Sequence, residues 1–234
     1  MADRLDRILA RELRIGRRQI RQLLRDGEVE VGGKPVASDG WALQVDGFDR
    51  VVVRGEIVQD RTARYVILNK PAGYVSATSD SDHPTVIDLI TETWAAELHL
   101  AGRLDRATTG LLLLTNDGRW SPRVTEPEVA VPKQYLVTTE DPISRQMIDA
   151  FSVGVALPGD GVVTKPADLV FVSEHQSRLI IYEGRHHQVK RMFALFENKV
   201  IGLHRERVGE LFLDEKALPE GAFRELTAAE VAGF

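Results

Sequence analysis

The sequence predicts a mixed α+β chain in two parts, a small amino-terminal unit followed by a larger one. Three observations lead there. The first 26 residues carry apolar side chains at helical spacing and are followed by a Gly-Gly hairpin pattern. Residues 59–64, Gln59-Asp60-Arg61-Thr62-Ala63-Arg64, are polar and aperiodic, as a linker is. Beyond Tyr65, short strand-like runs recur without regular alternation with helices, which disfavours a doubly wound sheet.

The elements follow in order. Leu5, Ile8, Leu9 and Leu13 stand on one side of a helix, with Arg4, Arg7, Arg11 and Arg14 on the other. After Ile15-Gly16, Ile20, Leu23 and Leu24 make the apolar stripe of a second helix over 17–26, and Gly27 suits its C′ position. Arg17, Arg18, Arg21 and Arg25 share its polar side. Glu28-Val29-Glu30-Val31, Gly32-Gly33 and Lys34-Pro35-Val36 read as a hairpin, and Val51-Val52-Val53 as a further strand. Strands are then expected at 65–68, 111–115, 134–139 and 178–182, with helices near 144–151 and 187–196.

Composition narrows the chemistry. The 234 residues contain no cysteine, which removes disulfides, thiolate nucleophiles and cysteine metal sites. Apolar runs such as Leu111 to Leu114 are far too short for a membrane span or signal segment, so a cytoplasmic protein without membrane contact is expected. The net charge is −5, yet residues 1–25 hold eight arginines against three acids, +5, which leaves −10 on the remainder. A basic head on an acidic body is the asymmetry of a localised phosphate-binding module. On the second helix all polar-face charges have one sign, which is costly unless something anionic sits opposite.

Two segments can carry catalysis. In Gly102-Arg103-Leu104-Asp105-Arg106-Ala107-Thr108-Thr109-Gly110 an acid flanked by arginines leads into an apolar strand, and adjacent positive charge favours the ionised carboxylate, which suits a nucleophile or general base. A nucleotide phosphate loop would need a lysine before its closing threonine, absent here. Asp117, in Thr115-Asn116-Asp117-Gly118, reads most simply as a turn former. In Glu183-Gly184-Arg185-His186-His187-Gln188-Val189-Lys190-Arg191-Met192, a helix carries Lys190 and Arg191. The paired histidines lack a third ligand at metal spacing, so no metal is expected. Residues 185–207 hold six basic residues, among them Arg185, Lys190, Arg191 and Arg205, against two acids, a balance of +4 that predicts a second phosphate-contacting patch.

The head resembles the S4 RNA-binding domain, through Arg4-Leu5-Asp6-Arg7-Ile8-Leu9-Ala10 and the run Ile20 to Val31; the likeness covers about the first 58 residues. Asn69-Lys70-Pro71-Ala72-Gly73-Tyr74, Asp82-His83-Pro84-Thr85-Val86, the Asp105 block, Lys133-Gln134-Tyr135, the Glu183 block and Leu203-His204-Arg205-Glu206-Arg207-Val208-Gly209 follow in the order of the RsuA family of pseudouridine synthases. This resemblance implies an S4-like α/β RNA-binding domain over 1–58, a linker over 59–64 and a catalytic domain over 65–234 on a mixed, largely antiparallel sheet with flanking helices. It implies isomerisation of one uridine of 16S rRNA, of the uridine-516 type, on naked RNA or an assembling small subunit, by a monomer without a cofactor.

By motif, Asp105 is the catalytic carboxylate, Tyr135 stacks on the base, Lys190 keeps the carboxylate ionised and Leu203 lines the uracil pocket. Arg17, Arg18, Arg21, Arg25, Arg103, Arg106, Arg185, His187, Arg191 and Arg205 are the expected RNA contacts. Arg106-Ala107 departs from the family, whose members often carry another acid there. A 23S rRNA synthase and a non-catalytic S4-type assembly factor are the alternatives, with a glycoside hydrolase more distant.

Overall fold

A computed structural model of the protein describes residues 2–157 and 161–234, which form two compact units divided between Ala63 and Arg64. In the first unit, helices α1 (Leu5–Leu13) and α2 (Arg17–Arg25) share a core with a four-stranded antiparallel sheet in the order β2-β1-β3-β4. Its strands are β1 (Val29–Val31), β2 (Lys34–Pro35), β3 (Val51–Val53) and β4 (Glu56–Gln59). The stripe predicted from spacing is buried, with Leu5, Ile8, Leu9, Ile20, Leu23 and Leu24 against Val29, Val51 and Val45. The polar residues expected as a linker start one position late, because Gln59 ends β4 and its amide donates to the carbonyls of Asp46 and Asp49 at 3.0 and 2.9 Å.

The two arginine rows of this unit differ. Arg4 and Arg11 reach Asp6 and Glu12 at 2.8 Å each, and Arg7 lies 3.9 Å from Asp3. On α2, Arg17, Arg18 and Arg21 are exposed and have no acidic partner among the described residues.

The second unit is built on a nine-stranded sheet. Its main path runs β8-β9-β7-β10-β6-β5-β11, where β5 is Tyr65–Lys70, β6 Thr109–Thr115, β7 Lys133–Thr139, β8 Asp168–Ser173, β9 Gln176–Ile181, β10 Val200–Val208 and β11 Phe223–Glu225. Short strands His99–Leu100 and Leu211–Phe212 join β6 and β10. Every pairing is antiparallel except β6 with β10. Helices α3 (Arg145–Val153) and α4 (Gln188–Ala194) cover one face.

The run Leu111 to Leu114 is apolar throughout because the middle of the sheet is buried on both sides. Leu112 and Leu114 point to the face holding Phe151 and Phe193; Leu111 and Leu113 point to the opposite core, around Trp120 and Val208. Where β6 meets β10 in parallel, Gly110 has φ +100°, and a Cβ there would stand 2.4 Å from the Arg205 carbonyl oxygen. Only glycine allows this approach, and it seats the loop before β6 against β10. Among the described residues no helix is long and apolar enough to cross a membrane.

Candidate active site

Asp105 sits at the turn of the loop entering β6, and the loop is held almost entirely by residues 70–76. The Lys70 ammonium group, with no exposed surface, donates to the carbonyls of Pro71, Arg106 and Thr108 at 2.9, 3.2 and 2.9 Å. The Gly73 amide donates to the Arg106 carbonyl at 2.8 Å. Ser76 Oγ donates to the Leu104 carbonyl at 2.7 Å and accepts from the Leu104 amide at 3.1 Å. Asp105 is thus bracketed on both sides by fixed peptide groups, which is the preorganisation a reacting carboxylate needs. Burial pushes the Lys70 ammonium down to about 8, partly offset by the negative charge of Asp105.

The charge partner of Asp105 comes from far along the chain. Lys190 Nζ lies 2.9 Å from Asp105 Oδ2, and His187 Nε2 lies 3.4 Å from Oδ1. Both belong to the start of α4, which is locked by its own turn. The Glu183 carboxylate, 5% exposed, accepts from the Gln188 side-chain amide at 2.9 Å and from Arg185 Nε at 3.1 Å; Gln188 Oε1 accepts the Arg185 backbone amide at 2.9 Å. His187 adopts φ 51°, and its ring stacks on His186 with centroids 3.8 Å apart. A buried carboxylate anchoring the first turn of a helix fixes where Lys190 can reach.

The opposite wall is β-sheet. Along β7, side chains alternate, so Lys133, Tyr135 and Val137 turn to the buried side. Arg205, opposite Tyr135 on β10, is 3% exposed; its Nε donates to the Leu111 carbonyl at 2.7 Å and its Nη1 to Tyr135 Oη at 3.4 Å. The Asp105 loop, the start of α4 and this wall enclose a cavity of about 540 Å³, a volume that suits a single nucleotide.

Of the residues predicted from sequence, Asp105, Tyr135, Lys190, Leu203, Arg103, Arg106, Arg185, His187 and Arg205 all line this cavity. Arg191 does not line it, and Arg17, Arg18, Arg21 and Arg25 belong to the first unit. Four expectations need correction. Arg205 is no surface phosphate contact, because the inward side of a central strand buries it and its guanidinium is bound to Leu111 and Tyr135. The basic stretch 185–207 is accordingly no single patch: Arg185 pairs with Glu183, Lys190 with Asp105 and Arg207 with Glu210. The positive charge paired with Asp105 is that of Lys190, with the His187 ring close by, while its neighbours Arg103 and Arg106 are exposed and make no ion pair with it. Asp117 is more than a turn former, since it is 7% exposed and accepts the Tyr65 hydroxyl at 2.9 Å.

Sequence reasoning missed Lys70, Ser76, Glu183 and Lys133 as parts of the site. A lone lysine closing the apolar strand Tyr65-Val66-Ile67-Leu68-Asn69-Lys70 was the available signal for the first.

Comparison with known proteins bears on the same geometry. The family described as RNA pseudouridylate synthase matches residues 64–195, and the S4 domain matches residues 3–47. The ribosomal small subunit pseudouridine synthase A of Pseudomonas aeruginosa is 47% identical over 229 residues, covering 97% of this chain and 98% of that protein. The protein of the same name from Escherichia coli strain K12 is 44% identical over 229 residues, with 98% of each chain covered. A crystal structure of a pseudouridylate synthase superimposes with a TM-score of 0.71 at 40% identity, again covering 98% of each chain. The chain carries an S4 domain ahead of its synthase domain and belongs to the RNA pseudouridylate synthase family, whose members are isomerases acting on RNA.

Proposed function

We propose that the protein isomerises one uridine of 16S rRNA, of the uridine-516 type, in the free RNA or in an assembling small subunit, with Asp105 as the catalytic carboxylate. The observation that carries the assignment is the Lys190–Asp105 contact of 2.9 Å inside a cavity walled by Tyr135. The names of the full-length relatives support the choice of small-subunit RNA.

The roles follow from the arrangement. A stacked uridine must be extruded at a cost of a few kcal/mol. Tyr135 offers a ring face that returns about 1–3 kcal/mol by stacking. Asp105, paired with the Lys190 ammonium, is a charged group held ready to meet the sugar carbon or the ring as the N1–C1′ bond breaks. Leu203 closes the apolar side of the base site, where exclusion of water favours recombination over hydrolysis. Arg103, Arg106, Arg185 and His187 ring the opening and Arg191 lies one residue beyond Lys190 on α4, within reach of the backbone around the extruded nucleotide. Arg17, Arg18, Arg21 and Arg25 give the S4 unit its grip on phosphates.

Tritium release from a 16S rRNA transcript labelled at uridine C5 tests the assignment. Wild type is expected to release tritium and Asp105→Asn to release none while binding the RNA as tightly. Substantial release by Asp105→Asn would remove its catalytic role. Modification of 23S rRNA instead would overturn the substrate, and no turnover on either RNA would leave an RNA-binding protein.

A further inference from the structure

Breaking the N1–C1′ bond separates charge, and the Asp105 side of the cavity accounts for only half of it. The bonding pair leaves with N1, so the detached uracil carries a negative charge spread over N1 and its carbonyl oxygens. C5 then supplies the pair for the new bond to C1′, the C5 proton departs to a base, and N1 takes up a proton. While detached, the ring is an anion that must be stabilised and kept from escaping.

The wall that faces the base contains an unmatched cation. Lys133 is 9% exposed and stands two residues from Tyr135 on the same face of β7, so the two side chains leave the strand roughly 7 Å apart and line the same cavity. Its Nζ donates to the Val131 carbonyl at 3.0 Å, and this is its one partner among the described residues. Burial and then the positive neighbours Arg205 and Lys165 push this ammonium down to about 8, and no carboxylate offsets them. A largely desolvated ammonium with one protein partner among the described residues is costly to keep unless an anion arrives to use it. An RNA phosphate would stay at the mouth of the cavity, whereas Lys133 lies in its wall beside the aromatic platform.

We propose that Lys133 is a further catalytic residue, whose ammonium group, with Arg205 beside it, stabilises the uracil anion during its detachment from C1′. This rests on the reading of Asp105 and Tyr135 given above. The wild type, Lys133→Met, Lys133→Arg and Asp105→Asn are compared in single-turnover reactions on a 16S rRNA transcript, with RNA affinity measured across salt concentrations. Lys133→Met is expected to slow the chemical step roughly 10²- to 10³-fold, the range for loss of one charge-stabilising donor. RNA affinity and its salt slope should stay unchanged, and Lys133→Arg should recover much of the rate.

Thermal melting guards against misfolding: removing an unpaired buried charge should keep or raise the melting temperature. Should Lys133→Met melt below the assay temperature, the rate of Lys133→Arg at elevated pH decides, since an always-charged guanidinium that restores no rate overturns the idea. Lys133→Met with an unchanged rate at saturating enzyme overturns it while a dead Asp105→Asn leaves the parent reading standing. A weaker affinity and flatter salt slope at an unchanged rate would also overturn it, making Lys133 a phosphate contact. An active Asp105→Asn would instead sink the parent reading.

Discussion

The Lys70 ammonium lies 2.9 Å from the carbonyl oxygen of Thr108, with no exposed surface, and its other two bonds fix Pro71 and Arg106. Three N–H donors thus meet three carbonyls, two of them in the loop just after Asp105. Lys70→Met keeps the length of the side chain and removes all three bonds. It should cost about 2–3 kcal/mol of stability, the scale of unmet buried polar groups. The rate constant should fall at saturating RNA because Asp105 is no longer held. Urea unfolding and single-turnover kinetics check both, and a variant with wild-type values in each would show that the loop holds its shape without Lys70.

Two buried lysines also set an alkaline dependence of stability. Lys70 and Lys133 are each pushed from an ordinary 10.5 down to about 8, chiefly by burial. Below about pH 8 both are charged in the folded and unfolded chain, and the folded state bears the full burial penalty. As pH climbs from 8 towards 10, the folded protein sheds protons that the unfolded chain retains, so stability rises. Tyr65 acts oppositely above pH 10, since burial and its bond to Asp117 push its hydroxyl from 10.0 up to about 12. The urea midpoint should therefore increase between pH 8 and 10, and Lys133→Met should reduce that increase. A midpoint that falls steadily from pH 8 would contradict the burial of these charges.

Gly110 joins the Asp105 loop to the sheet where no side chain fits. A Cβ would meet the Arg205 carbonyl oxygen at 2.4 Å and its amide nitrogen at 2.8 Å, and φ +100° is itself costly for alanine. Relief requires β6 and β10 to separate, which would shift Arg205 away from Tyr135 and the loop away from Lys190. Gly110→Ala should destabilise by about 2–4 kcal/mol and cut turnover further than stability alone explains. Measuring both at a temperature where the variant is fully folded separates the two effects, and full activity there would show that the strands adjust without moving the site.

What could be read from the sequence was local. The Leu5, Ile8, Leu9 stripe and the Leu111 to Leu114 run carry their burial in their spacing, and an acid just before such a run marks the end of a buried strand. The Lys190 partner of that acid was legible only through motif resemblance, because it meets Asp105 across 85 residues, and Lys70, which reaches Thr108 across 38, was not legible at all. Strand β10 was hidden for a different reason. Val200-Ile201-Gly202-Leu203-His204-Arg205-Glu206-Arg207-Val208 reads as a charged surface stretch, yet the cavity and the sheet absorb its polar groups: Arg205 on Leu111, His204 Nδ1 with Thr109 Oγ1 at 2.8 Å, and Glu206 with Arg178 at 2.9 Å. A strand that lines a polar cavity loses the apolar alternation by which strands are recognised.

The exposed row on α2 makes a last prediction, independent of the cavity. Among the described residues Arg17, Arg18 and Arg21 face solvent without acidic partners, whereas Arg7 and Arg11 of α1 pair with Asp3 and Glu12, and Arg4 just before it with Asp6. If the α2 row meets phosphates, each lost contact lowers the slope of log affinity against log salt by about 0.7–0.9. Arg18→Ala with Arg21→Ala should therefore weaken RNA binding and flatten that slope by about 1.5, with the single-turnover rate at saturating protein unchanged. The matching change on α1, Arg7→Ala with Arg11→Ala, should move the slope far less, since those charges are already paired. Equal slopes for the α2 pair and the wild type would mean that this row faces solvent in the complex as well.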